Sequence, residues 1–209
     1  VEYFGNPLVD KYNFSKKLGD KILLLPGSRK QEIEKFIPLI LELVQKKEMI
    51  NENFILKLAH KDHIKYIEEL ENKYKFKLDK IRNIEISFEK IDELRKKSKY
   101  AIATSGTVTF ELSLMGLPVI VVYKTSLINA FIVRKILKIK YITLTNLNSR
   151  KEIFPELLQE KFSVNNLIYE CNKMEKNKKN IVSELEKESL KLGNKGVLME
   201  IAQHLLIKI

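Results

Sequence analysis

Ile22-Leu23-Leu24-Leu25-Pro26-Gly27-Ser28-Arg29, followed at Gln31-Glu32-Ile33 by a helical pattern, is the stretch from which the fold can be read. A short apolar run closed by Pro-Gly and succeeded by an amphipathic segment is strand, turn and helix in order. The same alternation continues along the chain. Strands are expected at 21–25, 54–59, 83–87, 100–104, 118–123 and 141–145, with helical patterns at 31–47, 61–74, 91–97, 107–115 and 127–138 between them. Strands alternating with crossover helices predict an α/β fold, a Rossmann-like parallel sheet of about six strands with flanking helices. After Pro155 the strand signals stop, and 163–169, 181–191 and 196–209 read as a helical C-terminal tail. The run 172–180, rich in lysine and asparagine, reads as a solvated linker or turn. The expected organisation is a junction at 1–20, a core domain at 21–160, and C-terminal helices at 161–209.

Composition narrows the class of protein. The 209 residues are 44% hydrophobic and 31% charged, which suits one main globular unit. A lone cysteine, Cys171, excludes an internal disulfide and fits a reducing compartment. The longest apolar candidate, near 112–123, is shorter than a bilayer span and is interrupted by Ser113, Gly116 and Pro118. A formal net charge of +11 points to an anionic partner: a nucleic acid, an anionic membrane surface or a phosphorylated small molecule.

Three places carry chemistry. The strand–turn–helix at 22–33 sets Arg29 at the carboxyl end of a strand, where open α/β sheets bind ligands. Its guanidinium fork suits a diphosphate, although the same four residues also fit an exposed turn. The second place is more specific. The strand at 100–104 runs into Ser105-Gly106-Thr107, which opens a helix carrying Glu111 one turn on. Amides at such a helix start, with small residues allowing close approach, form a phosphate site, and Glu111 would accept hydrogen bonds from ribose hydroxyls. An ordinary helix cap is the alternative. The third is the polar loop 146–159, with Asn146 and Arg150, expected to follow the last strand at a carboxyl end; polar loops are also common as plain structure.

These stretches together resemble the C-terminal half of the lipid A disaccharide synthase family, glycosyltransferases built from two Rossmann-like domains (the GT-B architecture). The residues that carry the resemblance are Gly5-Asn6-Pro7-Leu8-Val9-Asp10, Leu25-Pro26-Gly27-Ser28-Arg29-Lys30-Gln31-Glu32-Ile33, Ala103-Thr104-Ser105-Gly106-Thr107 with Glu111, and 146–159. The resemblance implies UDP-2,3-diacylglucosamine as donor and 2,3-diacylglucosamine 1-phosphate as acceptor. It implies that Arg29, Ser105, Gly106, Thr107, Glu111, Asn146 and Arg150 line the UDP site. It also implies that the general base belongs to an N-terminal domain missing here, so that the chain binds donor far better than it transfers sugar. No cofactor is implied. The expected location is the cytoplasm, peripheral on the cytoplasmic face of the inner membrane.

No metal site is expected. There is no Asp-x-Asp pair, and His60, His63 and His204 lack a partner set for zinc. The positive charge, however, is unevenly spread. From Leu112 to Lys151 there is no Asp or Glu, and Lys124, Arg134, Lys135, Lys138, Lys140, Arg150 and Lys151 all fall inside. At about 100° per residue, Arg134, Lys135, Lys138, Leu127 and Phe131 share one sector of the helix expected at 127–138. Apolar side chains flanked by cations are what an interfacial helix presents to anionic lipid, so these five are the expected membrane contact. Leu127 and Phe131 also fit packing beneath a neighbouring domain or a second copy of the chain, as in a homodimer. Two alternatives to the transferase are a UDP-sugar epimerase on the same plan and a basic nucleic-acid-binding module. The loop at 146–159 favours the transferase, and no helix-turn-helix, zinc-finger or RNP-like pattern supports nucleic acid.

Overall fold

The computed structural model describes residues 4–124, 140–193 and 195–207. Its strands are β1 (Lys21–Leu25), β2 (Phe54–Lys57), β3 (Ile84–Ser87), β4 (Ser98–Thr104), β5 (Val119–Tyr123) and β6 (Glu156–Leu158). They form one six-stranded sheet in the order β3-β2-β1-β4-β5-β6, and each neighbouring pair is parallel. Parallel neighbours need a crossover between them. Helices α1 (Lys30–Val44), α2 (Ile64–Tyr74), α3 (Ile91–Lys97) and α4 (Thr107–Leu114) supply the first four. Among the described residues three further helices follow: α5 (Leu144–Ser149), α6 (Val164–Leu190) and α7 (Val197–Ile207). This is the Rossmann-like α/β fold expected from the sequence.

Both faces of the sheet are covered, and the alternation of side chains sorts the core into two layers. Ile22, Leu24, Phe54, Leu56, Tyr100, Ile102, Ile120 and Val122 pack with α1, α2 and α6 on one face. Leu23, Leu25, Ile55, Ala101, Ala103, Val119 and Val121 pack with α4 on the other. Successive residues of a strand point to opposite faces, so a strand covered on both sides must be apolar at nearly every position, as β1 and β5 are. Full burial of one such aliphatic side chain stabilises the fold by about 1.5–3 kcal/mol. α6 packs against α1, α4, β4 and β5, and so ties the C-terminal part of the chain to the sheet. Among the described residues no helix is long and apolar enough to cross a membrane.

Two expectations are corrected. The segment 141–145 is no strand: its β-branched residues lead into α5, whose first turn Thr143 caps by accepting from the Asn146 amide at 3.4 Å. The Glu156 carboxylate takes the amides of Ile142 and Thr143 and the Thr143 hydroxyl, which removes those donors from any ladder. The sixth strand is Glu156–Leu158, after Pro155, paired to Val121–Tyr123. The lysine- and asparagine-rich run at 172–180 is likewise no linker, because it lies within the 27-residue helix α6. Val164, Leu167, Cys171, Met174, Val182 and Leu185 are buried along α6, an apolar stripe that continues through the polar run. Packing of that stripe outweighs the weak helix propensity of asparagine.

Candidate functional site

The strand order reverses between β1 and β4, and the loops leaving their carboxyl ends part to opposite sides of the sheet. A crevice opens at such a switch point. Leu25 of β1 lies beside Ala103 of β4, so the turn 26–29 and the turn 105–106 start from adjacent positions. Between them is a cleft of about 440 Å³ lined by both turns, by Thr107, Val108 and Glu111 of α4, and by Lys57.

Each wall follows from local sequence. Gly27 has φ +93°, a left-handed backbone that a side chain resists, and a Cβ there would stand 2.1 Å from Glu32 Oε2. The turn it permits lets Glu32 reach back: its carboxylate accepts the amides of Ser28 at 3.2 Å and Arg29 at 3.3 Å and the Arg29 Nη1 at 3.0 Å. This is half of a capping box at the start of α1. The Arg29 side chain is 81% exposed despite that ion pair, so its guanidinium is available at the cleft mouth.

The opposite wall is the start of α4. Gly106 is its N-cap, with extended backbone (φ 174°) and no side chain to satisfy the first turn. A Cβ at Gly106 would meet nothing within 4 Å. Neither backbone conformation nor protein packing therefore demands glycine at 106, and the space it leaves adjoins the amides of the first turn. An eight-residue helix opening uncapped onto a cleft presents N–H groups and the positive end of its dipole to an anion. The Ser105 amide is committed to the sheet through the Val122 carbonyl at 3.1 Å, which leaves the Ser105 side chain on the cleft wall. One turn on, Glu111 lines the same cleft and pairs with Lys11 at 3.8 Å, so the segment preceding β1 reaches this wall too. Tyr12, beside Lys11, holds the ammonium above the ordinary lysine value together with Glu111.

The structure thus brings together Arg29, Ser105, Gly106, Thr107 and Glu111. Asn146 and Arg150 do not line this cleft. Because the sixth strand is Glu156–Leu158, the loop that ends at Pro155 leads into the amino end of that strand. Asn146 is fully buried: its Nδ2 donates to Phe154 O and Glu156 Oε1, and its Oδ1 accepts from the amides of Ile153 and Phe154. Those four bonds use the whole capacity of a carboxamide. Arg150 is exposed and ends α5 in a left-handed conformation. The residues expected to touch membrane, Leu127, Phe131, Arg134, Lys135 and Lys138, lie outside the described residues. Among the described residues no cluster of His, Cys, Asp and Glu could hold a metal ion.

A cationic lining residue was missed from sequence. Lys57 ends β2, and the signal was a lysine closing the apolar run Phe54-Ile55-Leu56. Burial pushes its ammonium below the ordinary lysine value. A second cleft, of about 430 Å³, lies among α4, α5, α6 and Asn6 and is lined by none of the strand-end turns.

The family model for lipid-A-disaccharide synthetase matches residues 1–207 of this chain. The chain belongs to that family. Curated lipid-A-disaccharide synthases agree with the assignment. That of Rickettsia prowazekii is 30% identical over 170 residues, covering 75% of this chain and 43% of the relative. That of Campylobacter jejuni is 33% identical over 192 residues, covering 82% and 48%. The chain therefore spans about half the length of the synthases it matches. Solved structures share the fold. HepE of Anabaena, determined in complex with UDP, superposes with a TM-score of 0.56 at 14% identity over 96% of this chain and 55% of its own. The C-terminal domain of a group 1 glycosyl transferase from Francisella tularensis superposes with a TM-score of 0.51 at 13% identity, over 91% of this chain and 93% of its own. Membership of the synthetase family displaces the epimerase and nucleic-acid-binding readings.

Proposed function

We propose that this chain is the donor-binding half of a glycosyltransferase that moves the sugar of UDP-2,3-diacylglucosamine onto 2,3-diacylglucosamine 1-phosphate, with UDP held in the β1–β4 cleft. The observation that carries the reading is the meeting of an available guanidinium, Arg29, and an uncapped helix start at Gly106 on either side of the switch point. HepE, which shares this fold, was determined with UDP, and that supports a nucleotide diphosphate as ligand. Departure of UDP builds negative charge on the β-phosphate. Arg29 and the first-turn amides of α4 stabilise it where it develops. Glu111 accepts the ribose hydroxyls. Asn146 serves the site indirectly, by fixing the loop that leads into β6.

The acceptor site and the general base belong to the half of the synthases that this chain does not span. The chain works at an anionic membrane surface, where acylated substrates reside, through Leu127, Phe131, Arg134, Lys135 and Lys138. Calorimetric titration tests the nucleotide reading: UDP binds and ADP does not at comparable concentration. Arg29→Ala weakens UDP by about 1.5–3 kcal/mol, the worth of a hydrogen bond to a charged group. Glu111→Ala weakens UDP but spares inorganic diphosphate. Equal losses for both ligands remove the ribose assignment. Cosedimentation with anionic but not neutral vesicles, lost on replacing Arg134, Lys135 and Lys138 by Gln, tests the membrane contact.

A further inference from the structure

The two carboxylates that line the cleft are already paired, Glu32 with Arg29 and Glu111 with Lys11. Lys57 is the remaining cation of the lining, and among the described residues it has neither ion pair nor hydrogen bond. A half-buried ammonium without a partner has given up hydration and received nothing in exchange. Its placement is specific. Alternation along β2 puts Lys57 on the face of Ile55, the face covered by α4. The register Leu24 to Leu56 carries Lys57 to the position beside Leu25, and Leu25 stands beside Ala103. Two strand spacings, roughly 10 Å, thus separate the Lys57 backbone from the end of β4. The four-carbon lysine stem reaches into that interval, over the end of β1, from the side opposite Gly106.

We infer that Lys57 is a second cation for the diphosphate, and that it makes this cleft prefer a nucleoside diphosphate to a monophosphate. The inference rests on the reading of the cleft as a UDP site. Arg29 sits at the exposed mouth, where its attraction is screened by water and salt. Lys57 sits lower on the wall, where a point charge acts through less solvent. A monophosphate satisfies one of the two cations, whereas a diphosphate bridges both. An anion placed there also restores the compensation that burial removed from the ammonium.

The experiment is titration of the 209-residue chain and its Lys57→Met and Lys57→Arg variants with UDP and UMP, alongside thermal melting. Met keeps the length and apolar stem but removes the charge. Lys57→Met is expected to bind UDP about tenfold or more weakly and UMP within about threefold of the unaltered chain. Lys57→Arg is expected to keep most of the UDP affinity. The melting temperature of the Met variant should be unchanged or raised, since an uncompensated charge has gone, and a merely structural lysine would not combine a stable fold with this ligand-selective loss. UDP binding by the Met variant equal to that of the unaltered chain overturns the inference and leaves the UDP site standing. Equal losses for UDP and UMP overturn the role in discrimination. Failure of the unaltered chain to bind UDP overturns the reading of the cleft itself.

Discussion

The Oδ1 of Asp10 lies 2.6 Å from the amide nitrogen of Gly196, a residue 186 positions further along the chain. The same carboxylate accepts from Val197 at 3.3 Å and Leu198 at 2.9 Å, so it caps the start of α7 from a short 3-10 turn at Pro7–Asp10. Hydrogen bonds from Leu198 and Gly196 hold the Asp10 carboxyl below its ordinary value. A depressed carboxylate contributes stability that is present above the unfolded-state value and lost as pH falls through the folded one. Asp10→Asn is therefore expected to lower the melting temperature at neutral pH by a few degrees and to free the amides of α7 to hydrogen exchange. The difference between variant and unaltered chain should shrink as pH falls below the ordinary aspartate range and close only once the folded-state carboxyl itself is protonated. A gap that persists in acid would show that the carboxylate charge is not what holds the helix.

Arg95 performs a comparable task within the core. Its guanidinium donates to the carbonyls of Met115 at 2.8 Å, Lys17 at 2.5 Å and Ser15, which fastens the segment ahead of β1 to the end of α4. Arg95→Met leaves those carbonyls unsatisfied and should cost about 3 kcal/mol or more in urea unfolding. The UDP affinity of the folded fraction should be retained, because Arg95 does not line the cleft.

Gly106→Ala separates ligand space from fold. The added methyl meets no protein atom within 4 Å, and the extended backbone at 106 accepts alanine. Stability should change by less than about 0.5 kcal/mol. UDP affinity should fall about tenfold or more if phosphate occupies that space, since losing one good contact of about 1.4 kcal/mol does as much. Unchanged affinity would put the ligand elsewhere.

Cys171 offers a probe of opening. It is a free, buried cysteine on α6, and burial pushes its thiol up to about 12. Because the thiolate is the reactive form, a thiol reagent at pH 8 should leave the folded chain unlabelled and label it promptly in denaturant. Rapid labelling of the folded chain would mean that α6 lifts from the sheet.

Sequence alone determined the parts of this protein whose causes are local. β1 carries four apolar residues closed by Pro-Gly, and α1 follows because its apolar spacing and Glu32 fit a helix start. The turn at 26–29 and the helix opening at 105–107 were legible for the same reason, and with them most of the cleft. What only the tertiary structure decided depends on partners distant in the chain. Residues 141–145 have strand composition, but Glu156 takes the amides of Ile142 and Thr143 and the segment becomes the start of α5, so the edge strand comes later and the loop that ends at Pro155 leads into its amino end. Residues 172–180 look solvated, but a core stripe that runs from Val164 through Met174 to Val182 and Leu185 carries the helix through them. Asn146 reads as a ligand contact until its four hydrogen-bonding positions are found filled by Ile153 and Phe154 of the loop and by Glu156 of β6. Lys57 was passed over because a lysine at a strand end is ordinary in sequence. Only the parallel register of β1, β2 and β4 places it on the wall of the cleft, without a counter-charge among the described residues.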